Sequence, residues 1–312
     1  MKFLQWSDLH LEFHKPGPGY EFPRPTPECP AGSIDAILIA GDLHTGDSHV
    51  NALLEIEEEW GVPVISIRGN HEFYHGEYHE VIARQDALVE EARRRGRNIR
   101  ILDRDSVVLG GVRILGCTLW TDGTIAGLSQ RDAAFGLKWV MNDYKKVLFA
   151  TGGEAEAGLM EPDHTMAIHA QDRRWLLGEL AKPFGGSTLV MTHHLPAPEL
   201  FTDKKAEYAE GYGSDMRAEI LGQKIDAWVT GHTHDARRGL IMGLHGSIAF
   251  TSNMAGYPGQ RTNFDPYRVL DMDNPTAGLA PLEICAKRLS MAPPATDVLA
   301  RLSAGAAGDF SM

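Results

Sequence analysis

Five short clusters of Asp, His and Asn run in order along the chain: Asp8-Leu9-His10, Gly41-Asp42, Gly69-Asn70-His71-Glu72, His193-His194 and Gly231-His232-Thr233-His234. They combine hard carboxylate and amide oxygens with borderline imidazole nitrogens, and no cysteine lies among them. Such a donor set suits two divalent cations sharing a carboxylate, drawn from manganese, iron, zinc, nickel or cobalt, rather than a closed structural zinc site. A carboxylate has two oxygens and can bridge two ions, which a histidine cannot. In Asp8-x-His10 and His232-x-His234 the alternation of an extended chain can turn both side chains to one side. Gly41, lacking a side chain, lets the backbone bend sharply at Asp42.

Each cluster follows a β-type run: Phe3–Trp6, Ile34–Ala40, Val62–Ile67, Thr188–Met191 and Ala227–Val229. In open α/β sheets the carboxyl ends of the strands form the crevice where ligands bind, so residues distant in sequence converge there. Between the runs, Val50, Leu53, Leu54 and Trp60 follow helical spacing after a Ser48 cap and before Gly61. Tyr78, Val81, Ile82, Leu88, Val89 and Ala92 share a second helical face closed by Gly96. This is the βαβ rhythm of a parallel sheet covered by helices. Val107–Leu115 predicts a hairpin turning at Gly110-Gly111. Helix is expected near Arg131–Asn142, over Gln171–Leu180 and near Ser214–Gly222, with short strands from Gly239 to Ala286. The polar stretch 121–169 and the Pro/Gly-rich stretch 15–32 read as loop or cap insertions in one domain spanning 1–286. Residues 287–312 form an Ala/Gly/Pro-rich tail.

Composition narrows the function classes. The 312 residues carry a formal net charge of -12, which argues against a nucleic-acid footprint. The basic run Arg93–Arg97 closes a helix, where cations complement the dipole. Cys29, Cys117 and Cys285 form neither a disulfide framework nor a zinc knuckle, as expected of reduced thiols in a cytoplasmic protein. No long apolar span predicts a membrane helix, and the first candidate ligands occupy the stretch a secretion signal would take. Oligomeric state leaves no mark in the pattern.

The ordered set, above all Ser7-Asp8-Leu9-His10-Leu11-Glu12-Phe13, Gly69-Asn70-His71-Glu72 and Gly231-His232-Thr233-His234, resembles the calcineurin-like metallophosphoesterase superfamily over roughly residues 1–260. The resemblance implies a four-layer α/β/β/α sandwich of two mixed β-sheets flanked by helices. It implies Asp8, His10 and His234 on one metal, Asn70, His193 and His232 on the other, and Asp42 bridging. His71 matches the family's non-ligand histidine, a general acid. Of the adjacent pair, His193 rather than His194 aligns with the ligand, and Glu72 stands where many members have Asp, in a structural role.

The expected chemistry is hydrolysis of a small phosphodiester or phosphomonoester, with manganese the favoured ion. Two cations about 3.5–4 Å apart generate a bridging hydroxide near neutral pH that attacks phosphorus in line. His71 then protonates the departing oxygen. The alternatives are a nuclease of the same superfamily and a non-catalytic metal-binding scaffold. The first lacks a basic groove in the sequence, and the second is disfavoured because every ligand position is filled. His14, His44, His75, Trp120 and Asp122 flank the motifs and read as packing or surface, and His164 and His169 as exposed. Leu195–Gly213, with Lys204-Lys205, is a candidate specificity loop.

Overall fold

The computed structural model describes residues 1–14, 19–152, 157–202 and 206–282. Lys204, Lys205, Cys285 and the tail from 287 lie outside the described residues.

The first half alternates strand and helix: β1 (Lys2–Trp6), β2 (Ala36–Ile39), α1 (Ser48–Trp60), β3 (Val64–Ile67), α2 (Tyr78–Arg94) and β4 (Ile99–Leu102). The hairpin β5 (Asp105–Leu109) and β6 (Val112–Cys117) follows, turning at Gly110-Gly111. Next come α3 (Gln130–Val140), α4 (Asp143–Lys146), the two-residue strands β7 (Leu148–Phe149) and β8 (Gly158–Leu159), and α5 (Pro162–Leu180). The chain closes with β9 (Ser187–Thr192), α6 (Arg217–Ile220), β10 (Ala227–Thr230), β11 (Arg238–Gly243), β12 (Gly246–Ser252) and β13 (Val269–Asp271).

Two large mixed sheets result, flanked by helices. One has the order β13-β1-β2-β3-β4, parallel except for β13. The other has the order β11-β12-β10-β9-β6-β5, with a parallel centre and antiparallel edges. Strand alternation sorts the side chains into layers. Leu4, Trp6, Ile37 and Ile39 face out against Leu53, Ile56 and Trp60 of α1. Phe3, Leu38, Ile65 and Ile67 face in, meeting Ile114, Leu189, Met191 and Val229 of the other sheet. Leu115, Val190, Trp228 and Phe250 cover the far side with Leu176 and Leu180 of α5.

Some elements differ from the sequence reading. β4 was not anticipated: it is a four-residue edge strand in which only Ile99 and Leu102 are fully buried, so no period of two appears. Ser48 is the first helical residue of α1, while Asp47 takes the cap position and turns its carboxylate to Arg84 Nε at 3.2 Å. α5 begins at Pro162, far ahead of the expected Gln171; its early turns are not recognisable in the sequence because Thr165 and His169 interrupt the buried apolar face. His169 is therefore buried, not exposed, and its Nδ1 meets the Leu119 carbonyl oxygen at 2.7 Å. The run Arg93–Arg97 is a solvated face, pairing with Glu57, Glu58, Glu90 and Glu91. No helix among the described residues is long and apolar enough to cross a membrane.

The sheets approach closely at Gly116, where a Cβ would lie 2.5 Å from Leu102 Cβ and 2.8 Å from Ile67 Cγ2. Both neighbours are fixed by strand pairing in the facing sheet. Gly116→Ala is accordingly expected to destabilise the fold by about 1–3 kcal/mol through overpacking. Urea denaturation tests this, and an unchanged midpoint would contradict the close approach.

Candidate metal centre

The five clusters meet where β1, β2, β3, β9 and β10 end, and the backbone there is bent in a distinctive way. Asp8, His10, Asp42, His232 and His234 all have positive φ, at 54°, 46°, 54°, 77° and 51°. Left-handed backbone is uncommon for residues with a Cβ, and these turns are pinned by hydrogen bonds between strand ends. Asp8 N donates to the Gly41 carbonyl, His10 N to the Asp42 carbonyl and Gly231 N to the His193 carbonyl, each at 3.0 Å. Gly41, at φ 85°, makes the sharp bend expected of it. A Cβ on Gly69 would fall 2.2 Å from Asp42 Oδ1, so only glycine lets β3 end against that carboxylate.

Bent in this way, the strand ends bring the candidate ligands together. Asp8 Oδ1 lies 3.3 Å from His234 Nε2 and 4.0 Å from His10 Nε2, and the two imidazoles face each other at 2.8 Å. Asp42 Oδ2 sits between the halves, 3.7 Å from His10 Nε2 and 3.4 Å from His193 Nε2. His193 Nε2 is 3.1 Å from Asn70 Oδ1. Three sets could each hold a cation: Asp8, His10 and His234; His10, Asp42 and His71; and Asp42, His193 and His232. Within each set the ligand atoms lie within 4.8 Å of one another. Nearly all of these side chains are buried.

The donors fit metal ions in a second respect. A ligating histidine usually donates its remote N–H to a fixed acceptor, which sets the tautomer and aims the other nitrogen. His10 Nδ1 meets Glu12 Oε1 at 3.2 Å, His193 Nδ1 the Ala40 carbonyl at 2.8 Å, and His234 Nδ1 Gln260 Oε1 at 2.7 Å. All three therefore turn Nε2 inward. Asn70 is aimed likewise: its Nδ2 donates to Asp143 Oδ1 at 2.7 Å and to the Tyr74 hydroxyl at 3.1 Å, which leaves Oδ1 on the cluster side.

Electrostatics follow from this burial. Burial alone would raise Asp42, but His193, His71 and His10 hold its carboxyl well below the usual range. Reciprocally, burial works against the His193 imidazolium, yet Asp42 lifts it to about 10. The neighbouring His194 goes the other way, pushed well down by burial and by His193. It stacks on Trp120 with ring centroids 5.3 Å apart and belongs to none of the three metal-capable sets. His71 is raised, since Asp42 and Glu12 outweigh its burial. Its Nδ1 meets Glu12 Oε1 at 2.8 Å, and its Nε2 meets the Tyr257 hydroxyl at 3.2 Å.

Residues 1–236 match the calcineurin-like phosphoesterases. The chain belongs to that family. It is a metal-dependent phosphoric ester hydrolase by that membership, and it has candidate metal-binding groups of Asp and His to match. Among curated proteins it is similar to an uncharacterised protein of Acanthamoeba polyphaga mimivirus, 25% identical over 226 residues, covering 67% of this chain and 74% of that one. Among solved structures it is similar to the phosphopantetheinyl hydrolase PptH of Mycobacterium tuberculosis. That match has a TM-score of 0.58 and 18% identity and covers 82% of this chain and 90% of that one, a likeness of fold.

Several residues of the phosphoesterase site escaped the sequence reading. Glu12 stood inside the first motif without a role, whereas Asp143, Tyr74, Tyr257 and Gln260 carried no signal at all. Trp120 packs against His194, and the Asp122 backbone N–H donates to the Ser214 hydroxyl at 3.0 Å. His44 packs against Tyr20 at 5.3 Å between ring centroids.

Glu72 holds the strand ends in place, as its motif position suggested. Fully buried, it accepts from Gly69 N at 2.7 Å, Leu43 N at 2.9 Å and Asp42 N at 3.1 Å, and it faces His49 Nδ1 at 3.0 Å. Glu72→Ala would strand three buried N–H groups at about 1–3 kcal/mol each. The expected outcome is a destabilisation of at least ~3 kcal/mol, read by urea denaturation of metal-free protein. A loss below ~1 kcal/mol would show that the strand ends stand without it.

Proposed function

We propose that the chain is a dinuclear phosphoesterase acting on a small phosphodiester or phosphomonoester. Asp8, His10 and His234 hold one cation, Asn70, His193 and His232 the other, and Asp42 both, with manganese the favoured metal and the cytoplasm the setting. The observation that carries this reading is the position of Asp42 between two inward-turned imidazoles, 3.7 Å from His10 and 3.4 Å from His193. A cation pair in such a site supplies Lewis acidity at the phosphoryl oxygens and acidifies the attacking water.

The chain's own residues supply the rest. Glu12 accepts the Nδ1 proton of His71, so the proton available to a leaving oxygen is the one on Nε2. Asp42 and Glu12 outweigh burial and raise the pKa of His71, which favours the imidazolium, the state an acid needs. Both ring nitrogens are engaged by Glu12 and Tyr257, which favours a proton-handling role for His71 over a ligand role. Tyr74, whose ring lies tilted against His71 with centroids 4.1 Å apart, and Tyr257 enclose the imidazole and limit its contact with water.

Metal-stripped protein reloaded with manganese should hydrolyse p-nitrophenyl phosphate or bis-p-nitrophenyl phosphate, and the preferred ester separates the two substrate classes. A phosphopantetheinyl ester belongs in the same assay because of the fold neighbour, although fold does not fix substrate. Two bound ions with no turnover of any of the three would count against a general phosphoesterase. His71→Ala should lower kcat for alkyl esters by about 10²–10⁴-fold while sparing p-nitrophenyl esters, whose leaving group needs no proton. A uniform loss would remove the acid role.

Loading should also release protons. His193 is held at about 10 by Asp42, so it is charged in metal-free protein at pH 7.5, and a ligand imidazole must be neutral. Apparent affinity should therefore rise with pH up to about 10, and calorimetric heats at pH 7.5 should depend on the ionisation heat of the buffer. Heats independent of buffer would mean that His193 gives up no proton.

A further inference from the structure

His71 cannot reach a leaving oxygen unobstructed. Its Nδ1 is committed to Glu12 at 2.8 Å, and the Tyr257 hydroxyl stands at its Nε2 at 3.2 Å, where the leaving oxygen would have to sit. Either Tyr257 swings away or the proton passes through it.

The packing argues against swinging. The Tyr257 ring lies 4.5 Å from His10 and 4.6 Å from His234 between centroids, and Phe13 meets it edge-on at 5.2 Å. Its backbone is pinned as well: Tyr257 N donates to Gln260 Oε1 at 2.9 Å, and Gln260 N returns a bond to the Tyr257 carbonyl at 3.0 Å. The same Gln260 oxygen accepts from His234 Nδ1. One residue earlier, Gly256 N donates to the Asp8 carbonyl at 2.9 Å. The ring is thus fixed by the candidate ligands themselves, on a segment beyond residue 236, where the family match ends.

We propose that Tyr257 is a catalytic residue whose hydroxyl carries the proton from His71 Nε2 to the leaving oxygen. The proposal rests on His71 being the acid. A phenolic hydroxyl donates and accepts at once, which a relay requires. As the bond from phosphorus to the leaving oxygen breaks, that oxygen takes the Tyr257 proton and Tyr257 Oη takes the proton from His71 Nε2. The imidazolium becomes a neutral imidazole whose proton remains on Nδ1, donated to Glu12, and the tyrosine ends as it began. The acid presented to substrate is then a neutral hydroxyl beside an aromatic wall of Tyr257 and the half-exposed Phe13. That wall suits a leaving group with an apolar or planar portion.

Tyr257→Phe keeps the ring contacts and removes only the hydroxyl. Manganese-loaded variant and parent are compared on p-nitrophenyl, phenyl and alkyl esters, with His71→Ala alongside and metal content measured. The relay predicts a drop in kcat of about 10²-fold on phenyl and alkyl esters, a change within about threefold on p-nitrophenyl esters, and unaltered metal content. An equal drop on all esters, or a gain on the alkyl ester, overturns it, and the gain would mark the hydroxyl as an obstruction. If His71→Ala is selective and Tyr257→Phe is not, only the relay fails. If His71→Ala is itself unselective, the acid reading fails and takes the relay with it. An independent readout uses metal-free protein labelled with ¹⁵N-histidine, the His71 signals being identified by their loss in His71→Ala. Tyr257→Phe should shift the Nε2 resonance and leave Nδ1 in place, whereas an unmoved Nε2 overturns the bond on which the relay depends.

Discussion

The Asp42 carboxylate, buried between two β-sheets and facing histidines from both, is the constraint that the rest of the site answers to. An isolated ionised carboxylate is costly to remove from water, and this one shares its surroundings with a second, Asp8. Positive charge must therefore be supplied at the seam. Without cations it comes from the histidines, which is why His193 and His71 both rise. With cations bound it would come from the metal, and on the proposed reading His193 would then be a neutral ligand while His71 stays outside the ligand set. The seam between the sheets is thus built for a charge that the polypeptide provides only by protonating itself. The neighbouring backbone complies: Gly69 gives up its side-chain space to Asp42 Oδ1, and the His71 amide donates to that oxygen at 2.9 Å.

Holding ligands in this way needs strained backbone, and the strain is confined to where it acts. Five of the seven candidate ligands sit at positive φ, a conformation costing of order 1–3 kcal/mol each in unsupported residues. The turns at Asp8 and His10 are tied to the end of β2 by backbone hydrogen bonds, that at Asp42 by Glu72, and that at His232 by its amide on the Asp8 carboxylate, so the geometry is over-determined. The layers beneath are regular, with Phe3, Leu38, Ile67, Leu189 and Val229 packed between the sheets, and it is this regular core that holds the bent ends in register.

Much of this was legible in the sequence because strands advertise themselves by alternation and ligands by chemical type. Phe3–Trp6 followed by Asp8-x-His10 states both the element and what it carries, and the hairpin at Gly110-Gly111 is written in its turn residues. The positive φ of Asp8 or His234 is not written anywhere, since neither residue type demands it and only tertiary hydrogen bonds impose it. The first half of α5 was hidden because Thr165 and His169 are buried, as is Asp172 just beyond them, which breaks the apolar stripe by which a helix is recognised. Asp172 itself accepts the Leu119 amide at 2.9 Å and pairs with Arg104 at 2.6 Å, contacts no local pattern could announce. Tyr257 and Asp143 were invisible for the same reason: a lone tyrosine or aspartate gains meaning only from what lies across from it.

Those invisible residues divide the site into two kinds of surface. The strand-end motifs present the candidate ligand atoms and, on the proposed reading, would set the chemistry at phosphorus. The groups that surround His71 and Asn70 come from elsewhere: Asp143 from the stretch after β6, and Tyr257 and Gln260 from the loop after β12. These parts are not decoration on a self-sufficient centre. Asp143 decides which end of the Asn70 amide faces His193, and Gln260 decides which nitrogen of His234 faces Asp8. A change in either loop would therefore reach the donor atoms as well as the mouth of the site. On the proposed reading, substrate choice and metal geometry would be coupled, because the segments placed on the leaving-group side also orient the candidate ligands.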